Sequence, residues 1–426
     1  MKKKVKIIIL LLLVAIVGWF LVRGIINYKR NVFEREQKQL IEQQITDLIH
    51  ERKLNNINED EDPFGDDNLI KILLIGIDSR AGDTSGHCDA IQLLEIHREQ
   101  KYINITALPR GTYVPLPGSG YKPGDYYVSN SCGLVSIEYG IEQMEKILGK
   151  KADYVAMVGF SEALGIFRDL KLPTTQTLQW LRNRHGFAIG EPQRAHNHST
   201  FIKQMLIKYL GDQENKINTA WQYLIYKAIN TDLSFQQTQT IVSAIEQMDL
   251  QNNSGRIKTF VKPHPFEKIT INADTIPSEQ TDEENNEEQK EPEQKLVKIY
   301  DIEYDEENLS DQLDKLTIQD PNRLTEGDYS GLSAKEVQGI LLNNILDNLG
   351  TPDYDKWAFE NNVWLQLDDE KTREEIHYKI LTSYINLFAD LQLKQAIISD
   401  YIIEMETREE PTWLAKGKQL LADSLK

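Results

Sequence analysis

The chain has 426 residues, 40% of them hydrophobic, and a formal net charge of −18 at pH 7. That length predicts two or three folded units with enough apolar mass for a sizeable core. So acidic a balance opposes nucleic-acid binding, which needs a basic footprint, and two cysteines, Cys88 and Cys132, exclude a disulfide-rich scaffold and a four-cysteine zinc site.

Lys2, Lys3, Lys4 and Lys6 precede an uncharged run from Ile7 to Val22, which Gly24 to Ile26 extend past Arg23. As a helix, residues 7–26 span roughly 30 Å at about 1.5 Å per residue, enough to cross a bilayer if Arg23 snorkels. No Ala-x-Ala cleavage pattern follows, so a retained transmembrane anchor is expected, with residues 1–6 cytoplasmic. Arg23, Lys29, Arg30 and Arg35 on the far side weaken the charge signal for that orientation. Residues 27–67 read as a helical stalk and a break. Phe33, Leu40, Ile41, Ile45, Leu48 and Ile49 form one stripe, which suits a free stalk and a helix packed on the next domain equally.

Leu69 to Ile77 is a near-continuous branched apolar run, the pattern of a strand buried on both faces. Ala90 to Ile96, Tyr102 to Leu108 and Tyr154 to Phe160 read as further strands. Val135 to Leu148 has helical spacing closed by Gly149. Phe201 to Leu210 and Trp221 to Ile229 also read as helices, and Ser234 is placed to cap one from Phe235 to Met248. Strands alternating with helices predict an α/β layered domain over residues 68–272, a central sheet flanked by helices. Residues 273–295 are Glu-, Gln- and Asn-rich and bury too little to offset chain entropy, so an acidic disordered linker is expected. Residues 296–426 recover helical spacing, with a Ser333/Glu336 capping box and a long pattern from Ile376 to Ile403. They read as a small, mostly helical C-terminal domain.

Polar residues concentrate where strands end. Asp78, Ser79 and Arg80 follow the first strand, and His87, Cys88 and Asp89 follow a Gly-rich loop. Two carboxylates flanking a loop, with an arginine beside them, suit Mg²⁺ held against a phosphate. Arg110 ends another strand. Arg182 and Arg184 precede Glu191, Arg194, Asn197 and His198. Arginines stay charged and grip phosphate oxygens bidentately, which suits a diphosphate. Each segment alone is a weak sign; an Asp after a strand is usually a turn or cap residue. Their joint order carries the weight.

That order resembles the LytR-CpsA-Psr family, also called the cell-envelope-related transcriptional attenuator domain. Family members show Gly-x-Asp-x-Arg after a strand, then Arg-Ser-Asp-Thr, Pro-Arg-Asp, Arg-x-Arg and Asp-x-x-Arg-x-x-Arg-Gln. Here the stretches read LLIGIDSR, HCDA, ALPRGTYV, LQWLRNRH and EPQRAHNHSTFI, with INTDLS downstream. The resemblance implies an apolar pocket for a polyprenyl chain, with arginines at its mouth gripping a diphosphate. Such proteins move glycopolymers from polyprenyl-diphosphate carriers to peptidoglycan, with Mg²⁺ screening the diphosphate. Carried over by position, Asp78 and Asp89 are the metal carboxylates, Arg80, Asp89 and Arg110 the catalytic set, and Arg80, Arg110, Arg182, Arg184 and Arg194 the phosphate clamps. The resemblance also places the bulk of the chain outside the cytoplasm, with the N-terminus in.

Four positions depart from the pattern. His87 and Cys88 stand for Arg-Ser, Gly111 for an Asp, and Asn197-His198 for Arg-Gln. His87 and His198 are expected to substitute as hydrogen-bond donors, and as cations below about pH 6.5. The departures also suit a second reading, a degenerate member that binds lipid-linked glycan or scaffolds envelope assembly without turnover. A transcriptional regulator, which the older name suggests, fits poorly, since the sequence offers no basic patch. Cys88 and Cys132 are read as a disulfide tying the metal loop down or as two free thiols.

Overall fold

The computed structural model describes residues 43–54, 61–78, 86–182, 191–211, 219–263, 266–270, 297–316 and 333–424. The expected anchor at residues 7–26 and the linker at 273–295 lie outside the described residues. Among those described, no helix is long and apolar enough to cross a membrane.

A six-stranded mixed sheet forms the centre. Its strands are β1 (Leu69–Asp78), β2 (His87–His97), β3 (Tyr102–Ala107), β4 (Tyr154–Gly159), β5 (Asn230–Thr231) and β6 (Ile257–Val261), ordered β5-β4-β1-β2-β3-β6. Strand β1 runs antiparallel to β2 and parallel to β4, and β3 runs antiparallel to β2 and parallel to β6. Central β1 is buried on both faces, which explains its unbroken apolar run. Leu73, Ile75 and Ile77 face α1 (43–54), α2 (Val128–Leu134) and α3 (Ile137–Leu148), while Ile70 and Ile72 face α6 (Glu191–Leu210) and α8 (Phe235–Glu246). Local signals set the helix ends. Ser136 caps α3 by accepting from the Tyr139 N–H, and Gly149 ends it at φ 68°.

The described part of the expected stalk packs on this domain. Ile45 and Ile49, one turn apart on α1, are buried in the cluster with Leu73 and Met144. Arg52 Nε donates to Asp232 at 2.5 Å. Strands β5 and β6 were not expected. The first is two residues long, and the second alternates buried and exposed side chains at the sheet edge.

A second apolar cluster lies beyond β4. It joins α4 (Phe160–Asp169) and α5 (Thr174–Arg182) to β8 (Val297–Asp301), α9 (Leu309–Leu316), α10 (Ala334–Leu346), α11 (Pro352–Glu360) and α12 (Glu370–Ile385). Phe160, Leu164, Trp180 and Phe201 thus share one core with Tyr304, Val337, Trp357 and Ile380. Strand β8 pairs in parallel with β7 (Phe266–Thr270). The pattern expected as one helix from Ile376 to Ile403 is two. Helix α12 ends at Ile385, and Asp390 starts α13 (Leu391–Thr407) by accepting from the Gln392 and Leu393 N–H groups. Helix α14 (Pro411–Ser424) packs against α13 in a smaller cluster.

Candidate active site

A one-residue irregularity builds the site. In the β1–β2 ladder Gly76 faces Ala90 and Ile77 faces Cys88, so Asp89 is left over as a bulge. Ile91 and Leu93 point to the α1–α3 side. By strand alternation Asp89 shares their parity and would point there too. The bulge instead gives that side to fully buried Cys88 and turns Asp89 to the opposite face, where it joins Ala90 and Gln92 along a cavity. A disulfide joins Cys88 to Cys132 in α2, which decides between the two readings of the cysteines.

Arg110, just past β3, ion-pairs with Asp89 through Nη1, and its Nε lies 3.4 Å from Glu191 Oε1. Glu191 opens α6, where the helix dipole favours a carboxylate. Its second oxygen lies 3.3 Å from Arg194 Nη2, and that nitrogen also donates to the Asp89 carbonyl at 3.1 Å. Two carboxylates and two guanidinium groups therefore alternate around one point. Burial pushes the Asp89 carboxyl up, but Arg110, Arg194, the Arg110 hydrogen bond and His87 together outweigh it and hold it at about 2. Asp89 is a fixed negative charge at neutral pH. Gly111 lacks the carboxylate of the family pattern, yet a Cβ there would sit 3.9 Å from Glu191 Cγ. Glu191 brings a carboxylate to Arg110 from another element.

His198, one helical turn beyond Arg194, differs from expectation in charge. Burial, with Arg194 adding to it, pushes its pKa down to about 4 against the hydrogen bond to the Leu181 carbonyl. Its Nε2 lies 2.8 Å from that carbonyl oxygen, which only accepts, so Nε2 carries the proton. In the neutral ring Nδ1 is bare, and it has no hydrogen-bond partner. His198 is therefore no cation just below pH 6.5, because the chain around it excludes the water that would solvate the charge.

Asp89, Arg182, Arg194 and His198 line one end of a cavity of about 360 Å³. Its walls are apolar: Leu74, Ile77 and Val158 from the sheet, Phe160, Ala163 and Phe167 from α4, Leu178 from α5, Phe201 from α6, and Ile225 from α7 (Thr219–Lys227). The structure thus brings Asp89, Arg110, Arg182, Arg194 and His198 together. His87 pairs with Asp78 across the ladder, and its Nδ1 makes no hydrogen bond. The Asp78 side chain, Arg80 and Arg184 lie outside the described residues. Sequence reasoning missed Gln92, whose Nε2 donates to the Ala195 carbonyl at 3.0 Å and whose Oε1 accepts from Ser199 Oγ at 2.6 Å. Its signal was a lone amide inside an apolar strand, and it ties α6 to the sheet. Among the described residues no group of three or more His, Cys, Asp or Glu side chains converges to hold a metal. Asp89, ionised at neutral pH, has the charge state that a hard cation requires of a carboxylate ligand.

Residues 32–164 match the model of the LytR_cpsA_psr family. The matched stretch holds Asp78, Asp89, Arg110 and both cysteines and ends within α4, before Arg182 and α6. Among solved structures the chain is similar to B. subtilis TagV, at 14% identity over 46% of this chain and 84% of that one, with a TM-score of 0.35. It is similar to protein gbs0355 from Streptococcus agalactiae at 15% identity over 48% and 80%, with a TM-score of 0.38. A third similar structure is TagT bound to LIIa-WTA, at 14% identity over 47% and 81%, with a TM-score of 0.34. No curated protein matches the chain. The matched stretch and the segments beyond it both contribute to the cavity, since Asp89 comes from the first and Arg194 and Phe201 from the second.

Proposed function

We propose that the protein transfers a glycopolymer from a polyprenyl-diphosphate carrier to peptidoglycan. The observation that carries this reading is the two-ended cavity: apolar walls suited to a hydrocarbon chain, with Arg182, Arg194 and the Asp89–Arg110 pair at one end. A lipid phosphate has that same division of chemistry. The family match supports the glycopolymer and the cell wall as substrate and destination. Anchoring by residues 7–26 keeps the site near the membrane that holds the carrier, with the N-terminus in and the rest extracytoplasmic. The Cys88–Cys132 disulfide supports that side, because disulfides persist in oxidising compartments.

In this reading the guanidinium groups of Arg110, Arg182 and Arg194 neutralise the phosphate oxygens as negative charge shifts towards the leaving lipid phosphate. Glu191 and Asp89 hold Arg110 and Arg194 in place before substrate arrives. Mg²⁺, held by Asp78 and Asp89, would supply further positive charge to the diphosphate. Neutral His198 supplies no charge. The walls exclude water, which would otherwise compete with the sugar hydroxyl.

The test incubates the purified protein with Mg²⁺ and a short-chain polyprenyl-diphosphate glycan, following release of the lipid phosphate. Metal-dependent turnover that collapses in Asp89→Ala is the expected result. A second reading is favoured by the loss of one family cation at Asn197, which neighbouring His198, held neutral by burial, does not replace: a degenerate member that binds the lipid-linked glycan. Tight binding without turnover selects it.

A further inference from the structure

The Phe201 wall of the cavity is backed by residues far outside the matched stretch. On α6, Arg194 and His198 lie at the charged end and Phe201 at the apolar end; on α5, Arg182 and Leu178 are arranged the same way. At about 1.5 Å per residue, Arg194 and Phe201 stand roughly 10 Å apart along the helix axis. Behind Phe201 stands Tyr304, edge-on with ring centroids 5.2 Å apart. Tyr304 also packs against Trp180 at 5.5 Å, and its hydroxyl lies 2.6 Å from Thr177 Oγ1. Trp180 is fully buried and Tyr304 is 5% exposed, so no solvent lies behind this wall.

Helix α6 holds the segment by its backbone. The Gln193 Nε2–H donates to the Tyr300 carbonyl at 2.7 Å while its Oε1 accepts from the Tyr300 N–H at 2.8 Å. Gln204 grips Tyr304 in the same way, at 3.1 and 2.9 Å. These paired bonds fix residues 300–304 against the far side of Phe201.

We propose that residues 300–304 set the depth of the cavity, so that the protein encloses only the roughly two or three five-carbon units of a prenyl chain nearest its phosphate. This rests on the lipid-carrier reading above. At about 30 Å³ per heavy atom, the cavity holds on the order of a dozen carbons. A depth of roughly 10 Å admits about eight carbon–carbon bonds, each advancing the chain by ~1.2 Å. The remainder of a long carrier stays outside. Each buried methylene tightens binding about fourfold, so affinity climbs with chain length until the cavity fills and then levels off.

The full chain is titrated, in one detergent, with prenyl monophosphates of two, three, four and five units, each below its micelle-forming concentration. The expected result is at least tenfold tightening from two to three units and less than threefold from four to five. Phe201→Ala opens the wall towards Tyr304 and moves the plateau to a longer chain. Ala163→Leu fills the cavity from α4 and moves it to a shorter one, a readout that does not depend on the first variant folding. Tenfold tightening from four to five units, or the same plateau in both variants, overturns the depth proposal alone. Binding of no chain at any length removes the lipid-carrier reading and the depth proposal together.

Discussion

Asp89 owes its charge to two arginines that arrive from different elements. Its folded pKa of about 2 lies below its ordinary 3.8. The stabilisation this represents is present above the ordinary value and is lost as pH falls from about 4 through about 2. For a side chain this little exposed it amounts to about 1–2 kcal/mol. Asp89→Asn is therefore expected to flatten the acid limb of a urea-unfolding series run between pH 5 and 2. The same variant removes the Asp89 charge from Arg110, and turnover in the proposed transfer should fall by about 10²–10³-fold, the scale of losing one charge-stabilising group. Asp89 was legible as a candidate from its place between the Gly-rich loop and the strand expected from Ala90. Its direction was not, because the bulge that turns it towards the cavity depends on the ladder with β1, and nothing local in HCDA marks it.

At the scale of elements, the disulfide and the packing of α4 offer separate tests. The Cys88–Cys132 bridge closes a loop of 44 residues and pins β2 to α2. Close packing surrounds it: a Cβ at Gly140 of α3 would meet Cys132 Sγ at 2.5 Å. Paired Cys88→Ser and Cys132→Ser substitutions should cost about 2–4 kcal/mol, read as a lower urea midpoint that reductant no longer shifts. Glu162 on α4 is buried, with its Oε1 accepting from Asn362 Nδ2 at 2.8 Å. Burial pushes its pKa up to about 7, against the Asn362 hydrogen bond. A raised folded pKa gives stability that is complete below 4.5 and lost as pH rises through about 7. Glu162→Gln keeps the acceptor and removes the charge, so it should exceed the wild type in stability by roughly 2–3 kcal/mol at pH 8 and match it near pH 4. Equal melting temperatures at both pH values would refute this. Helix ends were readable in the sequence at Gly149, Ser234 and Ser333, because capping is a local interaction. The break at Asp390 was missed because the apolar spacing of α12 and α13 runs on across it.

Over the whole molecule, one apolar cluster unites α4 and α5 with β8 and the helices that follow. Arg408, just past α13, pairs with buried Asp169 at the end of α4, and Arg168 donates to the carbonyls of Leu365 and Leu367 at 3.0 and 2.8 Å. At Gly165 a Cβ would meet Leu365 Cδ1 at 2.7 Å, so the two parts pack as closely as a single interior. A chain ending at residue 296 should expose Trp180, Phe201 and Leu164 and aggregate. Gel filtration and near-UV circular dichroism would check this, and a monomeric, cooperatively melting product would refute it. The same removal would take away the wall behind Phe201.

The α/β class, the central buried strand, the helix starts at Ser234 and Ser333 and the polar residues at the cavity's charged end were fixed by local chemistry, which is why they could be read without coordinates. Period-two burial, capping side chains and the order of Asp78, Asp89, Arg110, Arg182 and Arg194 survive any change of partner. What the tertiary structure alone decided depends on residues distant in the chain meeting. It turned Asp89 across the sheet by a bulge, gave Arg110 a second carboxylate from Glu191, and kept His198 neutral by burial. It also joined Cys88 to Cys132 and set Tyr304 behind Phe201. Each of those outcomes follows from desolvation and packing between separate segments, and the spacing of residues along the chain does not encode them.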